Sequence, residues 1–304
     1  MPKPFIIMSK GGILMAKLSK ILVISALSII TMSTTAFART SKNTDSGLLM
    51  LVNADYRIPD GFDPDKVMFE DTYYLMREEA AENIEIMLDD MENELGEAPM
   101  VVSTYRTYQK QVDLFNTDYN GKLAQGLSPE EAMKQTRRYV ALPGASEHHT
   151  ALAIDLSNDG TLEEDFIDTE AGKWIKKNCY KYGFVVRYPK AKEEMTGIGY
   201  EPWHIRYVGR PHSDIMYENN WCLEEYIAVL ENNGMVTWAD GETIWQIYYT
   251  ENENAVYSNV VDISNSNTGG YVVTTHKGKE IITKAETGNS VADRRNKLLS
   301  RLNG

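Results

Sequence analysis

The chain has 304 residues, 42% of them hydrophobic, and a formal net charge of -13. Five Trp and eighteen Tyr exclude a disordered polar segment and are ample for a packed core. The acidic balance excludes a nucleic-acid-binding role, which needs a basic surface.

The amino terminus has the layout of an export signal. Lys17 and Lys20 precede the apolar run 21–32, and Ala36-Phe37-Ala38 follows as a small-x-small cleavage pattern. Residues 1–38 therefore read as a signal peptide, and the remainder as an exported, cell-wall or extracellular protein. The alternative is an uncleaved membrane anchor, but the run falls short of the roughly 20 residues a bilayer span requires. Residues 39–46 are polar, without periodicity, and read as a linker.

From Gly47 to Val52 a short apolar run predicts a strand, closed by Asn53 and the turn residues Pro59-Asp60-Gly61. Asp71 or Thr72 is a helix cap, after which Met76, Ala80, Ile84, Met87, Met91 and Leu95 recur at helical spacing. Residues 99–104 predict a strand, followed by a helix through Phe115. Ser128-Pro129-Glu130-Glu131 starts another helix, running to about Val140, and Pro143-Gly144 breaks the chain. Residues 151–156 alternate as a strand, 170–182 are helical with Gly183 as terminator, and 184–188 are a strand. Alternation from Trp203 to Val208 marks another strand, and a core helix spans about 223–231. Thr243–Thr250, Val256–Ile263 and Tyr271–Thr275 are β-rich, with a turn cluster at 265–270. The division is thus a main domain over 47–235, a small β-rich appendage over 236–285 and a polar tail over 286–304. Cys179 and Cys222 allow either a disulfide or two buried thiols. His212 and His276 read as surface residues, and Arg187 and Trp203 as structural ones.

Two stretches carry chemistry: Ser146 to Asp155, and Glu201-Pro202-Trp203-His204 some fifty residues later. They offer two imidazoles and a carboxylate as metal ligands, and one spare carboxylate. Catalytic zinc sites commonly use three protein ligands and leave a fourth position for water, and a carboxylate off the metal can act as general base. The pattern predicts a zinc hydrolase. Side chains alternate along a strand, so His148 and His149 should not both face one metal. His148 and Asp155, an odd seven apart, converge only if the chain bends between them.

These residues resemble the D-alanyl-D-alanine carboxypeptidase family of zinc peptidases, the VanY type associated with vancomycin resistance. Ser146, His148, Ala153 and Asp155 match its Ser-x-His…Ala-x-Asp pattern, and Glu201 to Gly209 match its Glu-Pro-Trp-His element with the Arg-Tyr-Val-Gly strand behind it. Ser103, Tyr105, Arg106, Thr107 and Gln111 match an upstream element, and Tyr182–Phe184 and Arg187–Pro189 two shorter ones. Any one motif is weak; together, in order over roughly residues 47–230, they are specific.

The resemblance implies an α+β fold shared with Hedgehog signalling domains, with a central antiparallel sheet and flanking helices, here followed by the small C-terminal β appendage. It implies Zn2+ held by His148, Asp155 and His204, with Glu201 as catalytic base. Arg106 would lie beside the scissile bond or the substrate carboxylate, and Ser146, Gln111 and Tyr105 would help hold substrate. The substrate would be a peptidoglycan stem peptide ending in D-Ala-D-Ala. An L,D-carboxypeptidase acting on tetrapeptide stems and a non-catalytic zinc-containing wall-binding module are the alternatives. Two positions depart from the family: Ala151 stands where glycine is usual, and His149 where glutamine is usual. If Ala151 needs a positive φ, it costs on the order of 1 kcal/mol.

Overall fold

Ser128 and Pro129 act as their chemistry dictates. The serine hydroxyl accepts from the backbone N–H of Glu131, and the proline occupies the first turn of a helix over Pro129–Tyr139. This computed structural model describes residues 47–69, 73–240 and 243–277. The expected signal peptide, the linker, the cap at Asp71 or Thr72 and the tail from residue 286 lie outside them. No helix among the described residues is long and apolar enough to cross a membrane.

In chain order the elements are β1 (Val67–Met68), β2 (Leu75–Met76), α1 (Glu78–Leu95), β3 (Met100–Ser103), α2 (Tyr108–Ala124), α3 (Pro129–Tyr139), β4 (Ala153–Ser157), α4 (Glu170–Asn178), β5 (Phe184–Tyr188), α5 (Glu193–Thr196), β6 (Glu201–Tyr207), α6 (His212–Asn219), α7 (Leu223–Asn233), β7 (Met235–Ala239), β8 (Ile244–Thr250), β9 (Val260–Asn265) and β10 (Tyr271–Lys277). Strands β3-β4-β6-β5 form an antiparallel sheet, and β7-β8-β10-β9 form a second one, so the C-terminal strands have a sheet of their own.

Helix α1 buries the expected stripe of Ala80, Ile84, Met87 and Met91 against Leu152, Ile154, Ile205 and Trp174. It starts later than its periodicity predicts, because Met76 belongs to β2. The backbone on either side of Met76 is committed elsewhere: Tyr105 N–H donates to the Leu75 carbonyl, and Arg77 N–H donates to that of Ala151. Residues 47–52 are buried as expected but form no strand. Their polar backbone is met by side chains and isolated contacts instead: Arg206 donates to the carbonyls of Leu48 and Met50, and Leu51 N–H to that of Ser266. Gly47 has a steric reason: a Cβ there would lie 2.3 Å from Ser264 Cα.

A second apolar core joins Leu49, Leu51 and Val208 to Ile215, Leu223, Tyr226 and Leu230 of α6 and α7. Val236, Trp238, Ile247 and Val272 of the C-terminal sheet complete it. His212 lies in this seam, contrary to the surface position expected for it. It is 2% exposed, with Nδ1 at 2.8 Å from the Tyr226 hydroxyl and Nε2 at 3.0 Å from Thr274 Oγ1. Cys179 and Cys222 are both buried free thiols.

Candidate metal centre

The bend demanded by the odd spacing of His148 and Asp155 is present. Residues Glu147–Thr150 form one 3-10 turn, stapled by Thr150 Oγ1 donating to the Glu147 carbonyl, and Ala151 then takes a left-handed φ of 56°. A non-glycine residue is strained there, and full burial of Ala151 within the core holds it. The turn sends His148 and His149 to opposite sides. His149 faces away from the cluster: its Nδ1 lies 2.7 Å from the Arg106 carbonyl and its Nε2 accepts from Gly144 N–H. A glutamine amide offers the same donor and acceptor pair, which accounts for histidine standing where glutamine is usual.

Sheet register places the other two residues. Asp155 on β4 is the direct cross-strand partner of His204 on β6. His148 Nε2 lies 3.1 Å from Asp155 Oδ2, and His204 Nδ1 lies 2.9 Å from Asp155 Oδ1. One donor atom from each of the three residues falls within 4.8 Å of the others, and all three residues are buried. The far nitrogen of His148 is 2.6 Å from the Thr104 carbonyl, which orients the ring.

Electrostatics agree with a cation site. Burial lowers the pKa of His148 to about 4, so it is a neutral donor. Burial would raise Asp155, but His148 and His204 outweigh it and hold the carboxyl well below its usual range. Burial works against charge on His204, yet hydrogen bonding to Asp155 and the nearby carboxylates of Glu147 and Glu201 lift it to about 9. The cluster thus demands positive charge at its centre, which a divalent cation supplies. Two imidazoles and one carboxylate form a donor set suited to zinc, with three protein ligands as in catalytic sites.

Glu201, at the start of β6, has Oε2 3.8 Å from His204 Nδ1. Burial raises its pKa to about 8, so it is tuned for proton transfer near neutrality. Arg106 approaches from the other side, with Nη2 3.9 Å from Asp155 Oδ2. Its guanidinium is fixed by Gln111 Oε1 at 2.7 Å and Ser103 Oγ at 3.0 Å.

These groups line one cleft of about 810 Å³, together with Ser146, Tyr188, Trp203 and, farther out, Leu114, Asp118 and Glu163. The other expected substrate-binding residues stand back from it. Gln111 is fully buried, holds Arg106, and donates to the Ala141 carbonyl. Tyr105 donates its hydroxyl to Asp63, with Lys66 Nζ 4.5 Å from the centre of its ring. Arg187 is buried between Glu147 and Glu224, a structural position. Reading the motifs left Glu147 without a role. Its position between two motif residues was the only local signal, because its partners Arg187, His204 and Arg206 are distant in sequence.

The family model described as VanY, D-alanyl-D-alanine carboxypeptidase, matches residues 74–210. The chain is 33% identical over 202 residues to a D-alanyl-D-alanine carboxypeptidase of Enterococcus faecalis, covering 64% of this chain and 71% of that one. With two other curated relatives the match spans 66% and 46% of their length. Among solved structures it is similar to the vancomycin-resistance D,D-dipeptidase VanXYg in complex with a D-Ala-D-Ala phosphinate analogue. There the TM-score is 0.65 and the identity 33%, over 77% of this chain and 96% of that one. It is also similar to a mutant of the D,D-pentapeptidase VanY from a VanB-type resistance cassette in complex with Zn(II). That match has a TM-score of 0.53 and 33% identity over 59% and 98% of the two chains.

Proposed function

We propose that this chain, which belongs to the VanY family of D-alanyl-D-alanine carboxypeptidases, is an exported zinc-dependent enzyme that removes the terminal D-alanine from peptidoglycan stem peptides. One observation carries the reading. The cluster of His148, Asp155 and His204 shares the floor of a cleft with a raised-pKa carboxyl, Glu201, and a braced guanidinium, Arg106.

His148, Asp155 and His204 would hold the zinc, which would supply Lewis acidity for activating a water. Glu201 takes the proton of the attacking water and returns it to the leaving amine, so the peptide bond is exchanged for a carboxylate and a free D-alanine with no net proton change on the protein. Arg106 is preorganised, because Gln111 and Ser103 fix its fork before substrate arrives. A planar donor so held suits the oxyanion that forms at the scissile carbonyl, or the substrate's terminal carboxylate. A purely structural zinc site would close its fourth position with a protein ligand, and the cleft beside Glu201 disfavours a non-catalytic wall-binding module. Export rests on the pattern of residues 1–38, with a mature chain beginning near Arg39.

The test is digestion of defined muropeptides followed by mass spectrometry. Pentapeptide ending in D-Ala-D-Ala should lose one alanine, and Arg106→Ala should weaken this strongly. Tetrapeptide trimmed to tripeptide with pentapeptide intact would instead make the enzyme an L,D-carboxypeptidase, with the zinc chemistry unchanged.

A further inference from the structure

Glu147 is buried among charged groups beside the metal cluster. Oε1 accepts from Arg187 Nε at 2.8 Å and from Arg206 Nη1 at 2.7 Å. Oε2 has no hydrogen-bond partner and lies 3.6 Å from His204 Nε2, which has none either. That separation is just beyond a hydrogen bond, and a shift of well under an ångström would close it. Buried polar atoms left unpaired are costly, and these two face each other with complementary chemistry. His204 presents Nδ1 to Asp155 and Glu201. For Nδ1 to offer a lone pair to a cation, the ring's single proton must sit on Nε2.

Building on the zinc reading, we infer that Glu147 is the positioning residue of the metal centre: it accepts the Nε2 proton of His204 and so fixes the tautomer that leaves Nδ1 free to bind. Glu147 is itself anchored on both sides. Arg187 donates on to Glu224 of α7 at 2.9 and 2.7 Å. Arg206 donates on to the carbonyls of Leu48 and Met50 at 2.9 and 3.0 Å. Two carboxylates and two guanidiniums balance one another, so the network can stay out of water. The carboxylate behind the metal ligand is thereby tied to α7 and to the segment that opens the described chain. If Glu147 were only a counterion for the arginines, its loss would lower stability without touching the tautomer of His204.

The experiment compares Glu147→Gln with Glu224→Gln, which neutralises the other carboxylate of the same network. Zinc affinity is read by competition with a chromophoric chelator, and stability by urea denaturation. Glu147→Gln should bind zinc about ten- to a hundredfold more weakly, while Glu224→Gln should bind it as the unaltered protein does at whatever stability it retains. Unchanged affinity in Glu147→Gln, or equal losses in both variants, overturns the assignment. If Glu147→Gln does not fold, 15N NMR of the zinc-loaded unaltered protein decides. A protonated, slowly exchanging Nε2 on His204 supports the role, and a bare Nε2 refutes it. Failure of the zinc reading itself would appear separately, as an unaltered protein that takes up no zinc.

Discussion

Strands β4 and β6 of the first sheet are buried along their whole length, and they carry Asp155, Glu201, His204 and Arg206. In the second sheet, equally four-stranded and antiparallel, edge strand β9 leaves Val260, Val261 and Ile263 exposed, while β7 alternates buried and half-buried residues. The central strands of one sheet are buried and hold charge, whereas the other sheet wets part of its surface and is held mainly by Val236, Trp238, Ile247 and Val272. Where water is excluded, each charge must be answered by another, and the interactions gain strength for the same reason. The first sheet is therefore the less forgiving structure, and it is the one that carries the candidate metal centre.

Substitutions should reproduce that contrast. The largest effect is expected at Asp155, whose carboxylate lies between two imidazoles. Asp155→Ala should abolish zinc retention and activity together, as elemental analysis and muropeptide digestion would show. Glu201→Ala should lower turnover by about 10²–10⁴-fold with zinc still stoichiometric, and zinc lost from that variant would make Glu201 a ligand instead.

The seam between the sheets should respond to pH through His212. Burial holds its folded-state pKa at about 3, whereas the unfolded chain titrates near 6.5. Between those values the unfolded state binds a proton that the folded state does not, so stability falls as pH falls. Between pH 7 and 5 the loss from this group is about 2 kcal/mol, and His212→Gln should remove that share of the acid slope in urea melts. The smallest effect is expected on the wetted edge. Ile263→Thr should change stability by no more than about 0.5 kcal/mol, and a larger loss would mean that this edge is covered by something.

What was legible in the sequence follows from how local its cause is. Helix α3 could be read because Ser128 and Pro129 set its start within one turn. The bend before β4 could be inferred from spacing alone. Residues 47–52, Met76 and His212 were misread because their partners lie far along the chain: the Arg206 side chain, the Ala151 carbonyl beside Met76, and the hydroxyls of Tyr226 and Thr274. Helix α6 went unread because eight residues give barely two turns for periodicity to stand out; β7 went unread although β5, equally five residues long, was read. In the candidate site, the motif residues His148, Asp155 and His204 come together, while Tyr105 and Gln111 share a motif with Arg106 without reaching the cleft.

The pairing of Asp155 with His204 also makes the centre a gauge of strand alignment. Side chains alternate along β6, so sliding it by one residue would set Ile205 against Asp155 and turn His204 to the opposite face. Only one alignment can gather the donors, and cation binding adds its free energy to that alignment alone. The fraction of a preparation that takes up zinc is therefore a count of the molecules whose two central strands have met in step.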